Sequence, residues 1–100
     1  MRTRRVIYED QVAQDLKAIF RWLAESASPL SAIGVVDDIE EFISRLDLAS
    51  ERGMGRDDLR PGLRIIGRGR AVIAFAVDDE TVVVLRVFYG GQDWERAFGG

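Results

Sequence analysis

The chain has 100 residues, of which 47% are hydrophobic, with 14 Lys and Arg against 17 Asp and Glu and a formal net charge of −3. These values describe one small globular domain over residues 1–100, and they exclude a disordered chain and a generally basic nucleic-acid binder, so no direct sequence-specific nucleic-acid binding is expected. Cys and His are both absent, which removes disulfides, thiol chemistry, the commonest general base and the commonest zinc ligand; no metal or cofactor is expected.

The start, Met1-Arg2-Thr3-Arg4-Arg5, is basic. The apolar stretch behind it is too short for a signal peptide, and no apolar run approaches the roughly 20 residues that cross a bilayer. A cytoplasmic protein without membrane contact is expected. Arg4–Tyr8 carries Val6, Ile7 and Tyr8 and predicts a short strand. From Asp10, a candidate N-cap, the period changes. Val12, Leu16, Ile19, Phe20 and Leu23 fall on one helical face, with Trp22 beside it, either at the edge of the core or as an exposed aromatic anchor.

Ser26-Ala27-Ser28-Pro29 ends this helix and starts another, with Ser28 as cap and Pro29 in the first turn. Ala32, Val36, Ile39, Ile43 and Leu46 form its stripe, widened by Ile33 and Phe42. The helix is predicted to end near Ser50. Gly34 costs roughly 1 kcal/mol in a helix interior and suggests close helix packing. The short connection implies an antiparallel helical hairpin.

Glu51–Arg60 reads as a loop, followed by a strand over Leu63–Ile66. Ala71–Val77 and Thr81–Tyr89, rich in β-branched and aromatic residues, flank Asp78-Asp79-Glu80 and predict a β-hairpin. Both strands are apolar on both faces, so both faces require cover. The tail from Gly90 to Phe98 forms either one helical turn, starting at Asp93 with Trp94 on the sheet end, or an extended flap. The order β-α-α-β-β-β gives an α+β fold, an antiparallel sheet packed against a helical hairpin; the first strand joins that sheet at a place the sequence leaves open.

A two-residue turn at Asp79-Glu80 sets Phe75 opposite Val84 and Ile73 opposite Arg86. On that register Arg86 faces the helices, where Asp15 is its expected structural ion-pair partner. The same register puts Val72, Ala74, Ala76, Val83, Leu85, Val87 and Tyr89 on the opposite face. An apolar strip there marks an interaction site. Arginines gather at Arg52, Arg56, Arg60, Arg64, Arg68 and Arg70, either as a solvated rim or as a contact surface for an acidic peptide or phosphates.

The element order, the segment Asp15–Phe20 in the first helix, the segment Met54–Arg64 and the ending Arg86-Val87-Phe88-Tyr89-Gly90-Gly91-Gln92-Asp93-Trp94 resemble the ParE branch of the ParE/RelE toxin superfamily. The resemblance covers nearly the whole chain. Phe75 and Tyr89 depart from it, standing where many members carry Tyr and His. The resemblance implies the toxin half of a bacterial type II toxin–antitoxin pair, neutralised by a ParD-like antitoxin and inhibiting DNA gyrase. The RelE branch instead cleaves messenger RNA on the ribosome. At the positions where those ribonucleases place two Arg and a C-terminal Tyr, this chain has Val72, Gln92 and Phe98, none able to do that chemistry. A non-enzymatic gyrase poison is therefore the first reading. A ribosome-dependent ribonuclease and a non-toxic antitoxin-binding module are the alternatives. The antitoxin is expected on Val72, Ala74, Ala76, Val83, Leu85 and Val87, rimmed by Arg60, Arg64 and Arg70. Gyrase is expected on Tyr89, Gln92, Asp93 and Trp94.

Overall fold

The helical hairpin forms where the apolar period changes. In the computed structural model, which describes residues 3–49 and 51–99, strand β1 (Arg5–Tyr8) leads into helices α1 (Asp10–Ser26) and α2 (Pro29–Ser44). Ser28 caps α2, its hydroxyl accepting the Ser31 N–H at 3.0 Å, and Pro29 opens the first turn. Asp10 lies inside α1; Glu9 holds the N-cap position, and its side chain makes no capping bond. The second helix stops earlier than its stripe implies. It breaks at Arg45 and resumes as a single turn, α3 (Leu46–Ala49), which keeps Leu46 in the core; Ser50 lies outside the described residues. Gly34 marks no close packing, because a Cβ added there meets nothing within 4 Å.

The remaining strands are β2 (Met54–Gly55), β3 (Leu63–Arg68), β4 (Ala71–Val77) and β5 (Thr81–Tyr89), followed by the helical turn α4 (Trp94–Ala97). The two-residue β2 falls within the stretch read as loop. The sheet has five strands in the order β1-β5-β4-β3-β2. β1 runs parallel to β5 and pairs only with Thr81–Val84; the other neighbours are antiparallel. The hairpin turn is the expected one. Val77 pairs with Val82, and the Asp78 carboxylate accepts the N–H groups of Glu80 and Thr81 at 2.8 and 2.7 Å.

Beyond the turn the predicted register fails at one place. Phe75 pairs with Val84 as expected, but Ala74 pairs with Arg86 and Ile73 with Val87. One extra residue on β5, at Leu85-Arg86, makes a β-bulge, and every later side chain changes face. Val87 and Tyr89 therefore turn toward the helices and Phe88 turns away.

Two cores result. On the helix side, Val12, Ile19, Ile39, Ile43, Ile73, Phe75, Val82, Val84 and Val87 pack together. On the other side, Leu63, Ile65, Ala74, Leu85 and Phe88 are buried, with Leu59, Trp94 and Phe98 packed against them. The tail thus supplies the second cover. No helix among the described residues is long and apolar enough to cross a membrane, and no group of three metal-ligating side chains occurs among them.

Candidate interaction surfaces

Asp15 is the junction of the fold. Its carboxylate accepts from Arg86 Nε at 2.8 Å and Nη2 at 3.0 Å, and from the backbone N–H of Val87 at 2.9 Å. At 8% exposure it is the buried charged residue among those described. The cause is the length of β1. Past Val84 no strand covers β5, and the edge N–H of Val87 would be orphaned without a side-chain acceptor. The expected Asp15–Arg86 pair is present, although Arg86 stands opposite Ala74 and not opposite Ile73. Burial alone would penalise an Arg charge, but the Asp15 hydrogen bonds hold the Arg86 guanidinium above its ordinary value.

The second face is only partly open. Ala74 and Leu85, two of the residues expected to meet a partner, are buried by the chain's own tail. Val87, a third, lies in the helix-side core. Val72, Ala76 and Val83 remain half-buried on the expected face. Ile7 joins them. It pairs with Val83, which pairs with Ala76, so the three form a row across β1, β5 and β4. Ile7 is 39% exposed at the outer end of that row. Sequence reasoning missed Ile7 because the position of β1 was open; the alternation within Arg5–Tyr8 was the available signal.

The rim arginines do not form one group. Arg64 pairs with Phe75, shares its helix-side face, and donates to the carbonyl of Glu51 at 2.9 Å. Its expected place beside the partner strip therefore does not hold. Arg70 lies over the Tyr89 ring at 5.5 Å, also on the helix side. Arg60 is exposed, next to Leu59, which packs on the second core. Arg56, not singled out for any role, ties down the tail. It makes a bidentate pair with Asp58 at 2.9 Å, reaches Glu95 at 3.2 Å, and lies 5.3 Å from the Trp94 ring centre. Asp57 accepts the Gly62 N–H at 2.8 Å and fixes the same loop.

The residues expected to face gyrase divide into two places. Asp93 caps α4, accepting the Arg96 N–H at 3.3 Å, and Trp94 packs on the second core. Tyr89 packs toward the helix-side core, where its ring meets Trp22 edge to face at 6.1 Å. Gln92 accepts the Tyr89 N–H at 2.9 Å. Tyr89 and Gln92 line a cleft of about 430 Å³ between α1 and the uncovered part of β5, together with Trp22, Ala18, Ile19 and Gly90. Trp22 is 50% exposed, an edge-of-core residue with an open face.

The family described as the ParE toxin of the type II toxin-antitoxin system, parDE, matches residues 6–94. This chain belongs to that family. It is 34% identical over 95 residues to Toxin ParE3 of Caulobacter vibrioides, covering 95% of each chain. Its fold is similar to that of a chain in the chromosomal ParDE system of P. aeruginosa, with a TM-score of 0.74 and 26% identity over 87% of this chain and 96% of that one. A chain of the RelBE2 toxin–antitoxin complex of Mycobacterium tuberculosis has the same fold at a TM-score of 0.55 and 23% identity, over 88% and 99% of the two chains. This architecture therefore occurs in chains of both a ParDE and a RelBE system, and the fold by itself assigns no activity.

Proposed function

We propose that this ParE-family protein is a bacterial cytoplasmic toxin that inhibits DNA gyrase by binding, without catalysis, and is neutralised by a ParD-like antitoxin. The observation that carries the reading is the chemistry at three positions. Val72 is a half-buried hydrocarbon, Gln92 is engaged by the Tyr89 backbone, and Phe98 packs edge-on against Phe88 at 6.4 Å. None is a general base for a ribose hydroxyl, and none sets a positive charge against a phosphate. The similarity to a chain of the P. aeruginosa ParDE system supports an antitoxin partner.

The row Ile7–Val83–Ala76 is the surface we assign to the antitoxin. It is apolar, incompletely covered, and flanked by Arg5, which is exposed and lies two residues along β1 from Ile7 on the same face. An amphipathic segment with acidic residues at its margin fits such a strip. Supercoiling by purified gyrase tests the activity. The protein is expected to inhibit it, and induction without antitoxin is expected to arrest growth with messenger RNA intact. Codon-positioned cleavage across many transcripts would instead establish a ribonuclease. Val83→Asp is expected to weaken antitoxin capture in pull-downs by about tenfold or more while the protein stays folded.

A further inference from the structure

The cleft beside α1 lies across the sheet from the surface assigned to the antitoxin. Its strand-side wall is a sheet edge that no strand covers, since β1 ends its pairing at Val84. Two edge donors there are held differently. The Val87 N–H is bound by buried Asp15, whose charge is committed to Arg86. The Tyr89 N–H is bound by Gln92, an exposed residue of the turn before α4, through its amide oxygen alone. A carbonyl from another chain can replace that amide oxygen bond for bond.

The rest of the cleft specifies the visitor. Trp22 and Tyr89 give it aromatic walls, and about 430 Å³ is room for a few side chains. At the rim of the cleft Arg70 stacks on Tyr89, and its guanidinium makes no ion pair among the described residues. Its Nη2 is 3.5 Å from where a Cβ on Gly90 would stand, and Trp22 is 3.9 Å from the same point. A Cβ there would make only ordinary contacts; it is the φ of +68° that favours glycine at this corner. An aromatic slot, a replaceable edge donor and an uncompensated guanidinium together suit an extended segment that carries an apolar side chain next to a carboxylate.

We infer that this cleft docks such an acidic–apolar segment of the toxin's target, and that it works independently of the antitoxin row. The inference rests on the gyrase reading above. Of the four tail residues expected at the target, Asp93 and Trp94 are consumed inside the fold, whereas Tyr89 and Gln92 remain in an open recess.

The experiment titrates wild type, Trp22→Ala, Arg70→Glu and Arg70→Lys against purified gyrase in a supercoiling assay. In parallel it measures capture by the antitoxin from the neighbouring reading frame and thermal melting. Trp22→Ala and Arg70→Glu are expected to raise the half-inhibiting concentration by about tenfold or more, with antitoxin capture and melting unchanged and Arg70→Lys intermediate. Because Arg70 is exposed, its variants report even if Trp22→Ala folds poorly. Active wild type with equally active variants overturns the cleft assignment and leaves the gyrase reading standing. Equal loss of antitoxin capture overturns the claimed independence of the two surfaces. Wild type without effect on supercoiling removes the gyrase reading and the cleft assignment together.

Discussion

One sheet carries two coverings of different completeness. On its helix side Ile73, Phe75, Val82 and Val84 are shut off from water by α1 and α2, two helices joined by a capped boundary. On its other side Leu63, Ile65, Ala74 and Leu85 are shut off by Leu59, one helical turn and Phe98, while Ile7, Val83 and Ala76 stay partly open. The first cover is built from long-range packing along whole helices. The second is held at one corner by Arg56, whose pairs with Asp58 and Glu95 stand at the surface. The difference shows how a small chain can make strands apolar on both faces and still keep an interaction surface. It completes one core and leaves the other unfinished.

Stability measurements break this comparison if the two sides respond alike. Phe75→Ala, at a fully buried site, is expected to lower unfolding free energy by about 3–5 kcal/mol in denaturant titrations. Asp15→Ala follows, at about 3 kcal/mol. That is the low end for breaking a buried pair, because the Arg86 side chain is 32% exposed and can recover some hydration. The loss includes the orphaned Val87 N–H, so hydrogen exchange at Val87 should accelerate in this variant. Phe98→Ala, in the incomplete cover, is expected to cost only about 1–2 kcal/mol. A loss as large as that of Phe75→Ala would place the tail on equal footing with the helices. Gly34→Ala should raise stability by about 1 kcal/mol, since the helix gains a better former and the new methyl meets nothing.

The smallest effect is in pH. Backbone donors from Glu80 and Thr81 hold the Asp78 carboxyl below the usual carboxylate range, and hydrogen bonds from Arg68 and Arg56 do the same for Asp38 and Asp58. A depressed folded pKa means the folded state binds fewer protons than the unfolded one. The stabilisation is present above the unfolded carboxylate value of about 4 and is lost as pH falls through the lower folded values. All three groups are at the surface, so thermal melts should be flat at neutral pH and decline only in acid.

Much of this arrangement was legible in the sequence, for identifiable reasons. Ser28 and Pro29 mark a helix boundary because a hydroxyl acceptor and a fixed φ each suit one end of a helix. Asp78 marks the hairpin because its carboxylate replaces the backbone acceptors a turn lacks. The Asp15–Arg86 pair followed from the cost of an isolated charge among apolar neighbours. The bulge was hidden. No Gly or Pro stands near the bulge at Leu85-Arg86, and the one charge there, Arg86, suits a regular ladder as well as a bulged one, so nothing in the composition announces a change of side. The site suffered most from this, because Val87, Phe88 and Tyr89 all depend on it. The role of Ile7 and the cleft beside Trp22 required knowing that β1 lies on the outer edge of β5 and stops at Val84, a long-range fact with no local signal.

The bulge also fixes how β5 will read in a residue-by-residue mutational scan. Sensitivity to polar substitution should alternate from Val82 to Leu85, then slip in phase by one residue, with Val87 and Phe88 taking the opposite roles from those a continuous alternation would give them. Deleting Leu85 would restore an uninterrupted ladder and still keep the surface, because Arg86, Val87, Phe88 and Tyr89 would retain their partners Ala74, Ile73, Val72 and Ala71. Ironing out the bulge with every residue kept would do the opposite: Phe88 would swing into the helix-side core, Val87 and Tyr89 would swing out, and the aromatic wall facing Trp22 would be dismantled. In the full-length strand a regular ladder and this surface are competing outcomes, and the bulge decides between them.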